Sequence, residues 1–289
     1  MTGPAPASQS LSRTIEIPAC VLSVDDLRKL FLDLDAYTRE VTGAQIDTLQ
    51  PAPGVTLGDF TRFKSQAKAE AGLTMYAHGR DGELVTLHGV DTITREILPD
   101  ALVNITFDSA ARFRATVGYE PLNKFSLILD FREPPSFAYY NPWDQPTPSL
   151  SNFMISGNDR TWVGGVSEKV LSFLRGRKRR RLWLHGATAF NFLNWLIGLP
   201  ASFWLIYRLD NVTTRLVSGL PPVIRSAFYI YLFLVALFAF RVLIYFLRRV
   251  FPLTELEGSR SKAVRATGYT IVVGLLSAFI YDVLKAAFK

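Results

Sequence analysis

From residue 182 onward the chain is dominated by three long apolar stretches, at 182–207, 223–247 and 266–287. Before it, apolar and polar positions alternate on the short periods of ordinary secondary structure. A helix crossing the ~30 Å hydrocarbon core of a bilayer needs about 20 predominantly apolar residues. The pattern therefore predicts an all-α membrane bundle of three transmembrane helices over 182–289. The third stretch is the most marginal, since its uninterrupted apolar run covers only 268–281, up to Asp282.

The preceding residues divide into a tail and a folded domain. Residues 1–12, rich in Pro, Ala, Ser and Gly, read as a disordered tail. Alternation over 13–18 predicts a short strand. Ser23 followed by Asp26 is a capping pair, and Leu27, Leu30, Phe31 and Leu34 form one apolar helical face, which predicts a helix to about Val41 or slightly past Gly43. Short β-like runs follow at 59–68, 75–78, 84–87, 90–97, 102–107, 113–117 and 125–131, with Asp81-Gly82 as a hairpin turn. Residues 151–156 read as a strand. Asp159 or Thr161 then caps a second helix that turns Trp162, Val166, Val170, Phe173 and Leu174 to the core. The order predicts an α+β domain over 13–174, an antiparallel sheet with two helices on one face.

Charge sharpens the division. Residues 1–174 hold 15 Lys+Arg against 21 Asp+Glu; residues 175–289 hold 17 against 4. The net charge of +7 thus belongs to the membrane part, which argues against a nucleic-acid partner for the N-terminal domain. Eleven basic residues, at Arg175, Arg177, Lys178, Arg179, Arg180, Arg181, Arg248, Arg249, Arg260, Lys262 and Arg265, fall on one side of the expected spans, and five on the other. The positive-inside bias predicts a cytoplasmic N-terminal domain and a C-terminus on the opposite side. Residues 175–181 form a basic juxtamembrane segment in which Arg177, Lys178, Arg179, Arg180 and Arg181 contact lipid headgroups. No basic n-region with an apolar core opens the chain, as a signal peptide would.

Candidate chemistry is sparse. One cysteine, Cys20, leaves no disulfide framework and no Cys-rich metal site. His78, His88 and Asp91 are a possible two-His-one-carboxylate set, but the odd spacing of His88 and Asp91 points them to opposite faces of a strand. No nucleophile elbow, zincin helix or phosphate-cradling glycine loop is present. No metal or cofactor is expected.

The segment 133–148 interleaves five prolines with Phe137, Tyr139, Tyr140 and Trp143. So many prolines exclude a central strand, and these aromatics pack on the sheet, dock on the membrane or bind a ligand or partner. Within the spans, Asn191 and Asn194 share a helical face, and Thr270, Gly274 and Ala278 form a small-residue stripe suited to close packing inside the bundle or between copies. Pro200 predicts a kink or a re-entrant break. The expected protein is a membrane-anchored non-enzymatic sensor, adaptor or scaffold whose domain binds a protein or small molecule. Its other partners are membrane lipids and, through the stripe, further copies of itself. An oligomerising bilayer-permeabilising effector is the alternative, and a lipid-directed enzyme using His78, His88 and Asp91 the weaker one.

Overall fold

The computed structural model describes residues 10–132, 147, 149–177 and 184–257, together with eight positions between 267 and 285. Two units partition the chain, one of residues 1–132, 149–179 and 253–259, the other of residues 133–148, 180–252 and 260–289.

The first unit is α+β. Its strands β1 (Leu11–Glu16), β3 (Thr74–Gly79), β4 (Leu84–Leu87), β5 (Leu102–Asp108), β6 (Lys124–Asp130) and β7 (Asn152–Gly157) form an antiparallel sheet in the order β1-β7-β6-β5-β3-β4. A further short strand, β2 (Cys20–Leu22), lies outside this sheet. Period-two alternation turns Met75, Ala77, Ile105, Phe107, Leu127 and Phe153 to one face, where all are buried. The helices α1 (Val24–Asp47) and α4 (Arg160–Arg175) cover that face with Leu27, Phe31, Leu34, Val166, Val170 and Leu174. Each such side chain stabilises the fold by about 1.5–3 kcal/mol through the apolar surface removed from water, so this layer is the main core. Ser23 caps α1 reciprocally with Asp26. Gly43 does not stop the helix, because Thr38, Thr42, Gln45 and Ile46 continue its buried face.

Three runs read as strands are something else. Residues 59–68 belong to α2 (Leu57–Glu70), capped by Thr56. Residues 113–117 belong to α3 (Ala111–Val117), closed by Gly118 at φ +87°, a conformation that glycine adopts without Cβ strain. Residues 90–97 contain a 3-10 turn, Val90–Thr92. The unit thus has four helices, not two. α2 and α3 build a satellite core of Ala67, Ala71, Phe113 and Val117 with Ile46 of α1. In all three runs the few apolar residues suit either period, and tertiary contacts decide between them.

The domain boundary also moves. Strand β8 (Thr254–Leu256), which follows the second apolar stretch, belongs to the first unit, where it pairs in parallel with β2. The first unit is therefore discontinuous in sequence.

The second unit contains a helical hairpin. Helix α5 (Ala187–Phe192), a π-helical turn (Leu193–Gly198) and α6 (Leu199–Val217) make one continuous helix of 31 residues; α7 (Pro222–Val250) has 29. At 1.5 Å per residue these are about 46 and 43 Å long, enough to cross a ~30 Å core. Only 22% and 17% of their most apolar windows are buried, unlike the core helix of a soluble protein. The first starts later than the expected 182 and runs ten residues past 207, and the second outruns 223–247 at both ends. Pro200 does not make a re-entrant break: the helix passes through it, the missing N–H falling beside the π turn. Among the described residues two helices, not three, are long and apolar enough to cross a membrane. The third stretch falls mostly outside the described residues and is helical at those that are described.

Candidate functional site

The chemistry-bearing residues of the first unit gather where the chain leaves for the hairpin and where it returns. Pro18 cannot donate to a ladder, and after it the chain departs from β1 to form β2. The two edges of β2 hold different partners. Val21 N–H donates to the carbonyl of Arg177, 3.3 Å away, just past α4. Cys20 N–H donates to the carbonyl of Leu253 at 3.1 Å, and Glu257 N–H to that of Leu22 at 2.7 Å, on either side of the β8 pairing. Cys20, Leu22, Thr254, Glu255 and Leu256 are all buried. Ser151 extends the tie: its Oγ accepts from Asp130 N–H at 2.8 Å and lies 3.2 Å from Thr254 Oγ1.

Arg177 closes this joint. Its Nη2 is 2.6 Å from Asp26 Oδ1, its Nη1 donates to the carbonyl of Phe173 at 3.0 Å, and its guanidinium stacks 3.7 Å over the Phe173 ring. Burial pushes the Asp26 carboxyl up, but hydrogen bonds from Arg177 and from the N–H and hydroxyl of Ser23 outweigh it and hold the group below its ordinary range. The Cys20 thiol is pushed up to about 12 by burial, against a smaller opposing pull from the Arg177 charge. It is an inert core thiol.

Because the Asp26 carboxyl is lowered on folding, its contribution is full above the unfolded-state value and fades as pH falls through the folded one. Asp26→Asn is therefore expected to cost about 1 kcal/mol at pH 7, the usual worth of a cap. That difference should shrink towards zero in acid, as read by denaturant titrations of the full chain at several pH values.

The hairpin carries its own polar set. Arg248 is 2% exposed, with Nε 2.9 Å from the carbonyl of Leu184 and Nη2 3.3 Å from that of Gly186. Its guanidinium lies 4.8 Å from the Phe190 ring centroid and 5.9 Å from that of Tyr245. His185 Nε2 is 2.6 Å from the carbonyl of Phe251, which can only accept, so this nitrogen carries a proton; Nδ1 is 2.9 Å from Thr147 Oγ1. Seven residues before Arg248, Arg241 donates to buried Asn194 at 3.3 Å. At the other end, Tyr229 donates to Asp210 at 3.1 Å, and Thr214 lies 3.2 Å from both.

The chain matches no family model, no curated protein and no solved structure. The site therefore stands on its own geometry.

That geometry sorts the expected site residues. Phe137, Tyr139, Tyr140 and Trp143 lie outside the described residues, as do Lys178, Arg179, Arg180 and Arg181. Arg177, expected at lipid headgroups, is instead engaged by Asp26 and Phe173. Its neighbours in sequence say nothing of this, because Asp26 is distant along the chain. Asn194 meets Arg241, and Asn191 is half-buried on the same helix. Thr270, Gly274 and Ala278 are helical and exposed, and a Cβ added at Gly274 would touch nothing, so the stripe is not packed inside the bundle at that point. His78 pairs with Leu84 at one end of the β3–β4 ladder, whereas His88 Nδ1 is 3.4 Å from Thr74 Oγ1 at the other. Four residues of strand, about 13 Å, separate those levels. Among the described residues no three His, Cys, Asp or Glu side chains are grouped to hold a metal.

Two features escape the local pattern of the sequence: the burial of Arg248, which stands there as a flanking charge, and strand β8. The seven-residue spacing of Arg241 and Arg248, which puts them on one helical face, was the available signal for the first.

Proposed function

We propose that this chain is a membrane-anchored, non-enzymatic sensor, adaptor or scaffold. Its sheet unit binds a protein or small ligand on the cytoplasmic side, and the helical hairpin crosses the bilayer. The observation that carries this reading is that the first unit is built from chain on both sides of the apolar helices. The carbonyls of Arg177, which precedes them, and Leu253, which follows them, accept from the adjacent N–H groups of Val21 and Cys20. This attachment ties both segments to one strand, itself joined to the cap of α1.

The same attachment supports one side of the membrane for Arg177 and Leu253, and the 11-to-5 distribution of basic residues makes that side the cytoplasm.

The test uses the full chain in lipid nanodiscs. Native mass spectrometry is expected to find a stoichiometric small molecule or protein bound to it. Phospholipid turnover that disappears when His78 and His88 are both changed to Ala would replace this reading with an enzymatic one. A reporter fused after Glu257 should lie on the side of the N-terminus, and one inserted at Gly219 on the other.

A second reading, an oligomerising effector that permeabilises the bilayer, is favoured by the exposure of Thr270, Gly274 and Ala278. It requires that expression of the full chain depolarise cells and that Gly274→Ile prevent it.

A further inference from the structure

We infer that β1 is a self-pairing edge, joining two copies of this chain about a two-fold axis at Thr14 and merging their six-stranded sheets into one. The inference stands on the first unit alone and does not depend on the membrane reading.

The hydrogen-bond phase of β1 is set by its neighbour. Ile17 N–H donates to the carbonyl of Ser151 at 3.1 Å, in the register that pairs Leu11 with Gly157 through Glu16 with Asn152. In an antiparallel ladder, bonded and non-bonded pairs alternate. Leu11, Arg13 and Ile15 therefore bond to β7, whereas Ser12, Thr14 and Glu16 direct their N–H and C=O groups away from the sheet. Those three residues are exposed, and among the described residues their side chains have no hydrogen-bond partner.

Free edges are normally blunted by brevity, bulges or proline. The opposite edge is: β4 has only four residues. β1 has six residues, no proline and an unbroken register.

A second copy fits this edge in one register. Residues opposite one another in an antiparallel pair face the same side of the sheet, so the two-fold must fall on a residue. Centred on Thr14, all three outward residues of each strand find partners: Thr14 meets Thr14 of the second copy, and Ser12 meets Glu16, hydroxyl against carboxylate. On the helix-covered face, Leu11, which is 40% exposed, falls opposite Ile17. Centring on Arg13 or Glu16 opposes like charges, which destabilises. Centring on Ile15 leaves both Ser12 residues without a strand partner.

The test is the mass of the full chain in detergent micelles by light scattering, with variants at Thr14. The wild type is expected to be a dimer. Thr14→Pro removes an outward N–H without touching the β7 ladder, and Thr14→Asp opposes two carboxylates at the axis; each should weaken dimerisation by about tenfold or more. Thr14→Cys should cross-link to itself with a short bis-maleimide, and the wild type should not, because Cys20 is fully buried. Should Thr14→Pro fail to fold, Thr14→Asp and the cross-link decide the matter. A monomeric wild type would overturn the inference. So would dimers that both Thr14 substitutions leave intact, or dimers lost only on Gly274→Ile, which would place the contact in the bundle.

Discussion

A fragment of residues 10–177 is expected to aggregate or to unfold with a midpoint well below that of the same fragment rejoined to residues 253–257 by a short linker. Without β8, the Cys20 N–H and Leu22 carbonyl lose their partners, and Leu256, 1% exposed in the main core, leaves a void. Each unsatisfied buried backbone group costs about 1–3 kcal/mol, and the absent leucine about 2–5 kcal/mol more. The sum is comparable with the 5–15 kcal/mol total stability of an ordinary domain. In the full chain the milder Leu256→Ala should cost about 2–5 kcal/mol, measured by denaturant titration of tryptophan fluorescence. Equal midpoints for the two fragments would show that β8 is dispensable.

Removing the buried guanidinium of the hairpin is the other large expected effect. Arg248→Met keeps much of the side-chain length but removes the guanidinium donor from the carbonyl of Leu184 and from that of Gly186, which keeps the Phe190 N–H, and removes the cation from the Phe190 face. Breaking a buried charged network by removing one member costs about 3–5 kcal/mol. The variant should therefore show a much lower thermal midpoint in detergent, read by fluorescence-detected size exclusion. Arg248→Lys should fall between, because an ammonium keeps the charge but not the planar fork that reaches two carbonyls. Arg249→Met, at an exposed neighbour, should cost less. Equal losses at 248 and 249 would instead point to a general need for basic charge at the end of α7.

How far these features could be read in advance depends on the range of the interactions that create them. The capping pair of Ser23 and Asp26 and the apolar face of α1 are encoded within a few turns and were legible. So were the six strands of the sheet, whose alternation spans several residues each. Residues 59–68 and 113–117 misled because a few apolar residues among many polar ones fit both periods; what makes them helices is the pocket formed by Ile46, Ala67 and Phe113. β8 is three residues long and shows no period, so its signal was below any threshold a local pattern can set. Arg248 presented the usual appearance of an interfacial charge, and its burial follows from Phe190 and Tyr245 closing around it.

By itself the sequence determined that this protein has an acidic α+β portion followed by long apolar helices, because composition and periodicity act along the chain and need no partner. It did not determine where the soluble fold ends. Tertiary structure decided that, by bringing Val21, Arg177, Leu253 and Leu256 to one place from opposite ends of the chain. The physical reason is that a backbone hydrogen bond or a buried leucine contributes the same free energy whatever the separation of its partners in sequence, whereas a pattern is visible only between neighbours. The apolar helices could thus be recognised from their residues alone, and the last strand of the first unit only from its pairing with β2.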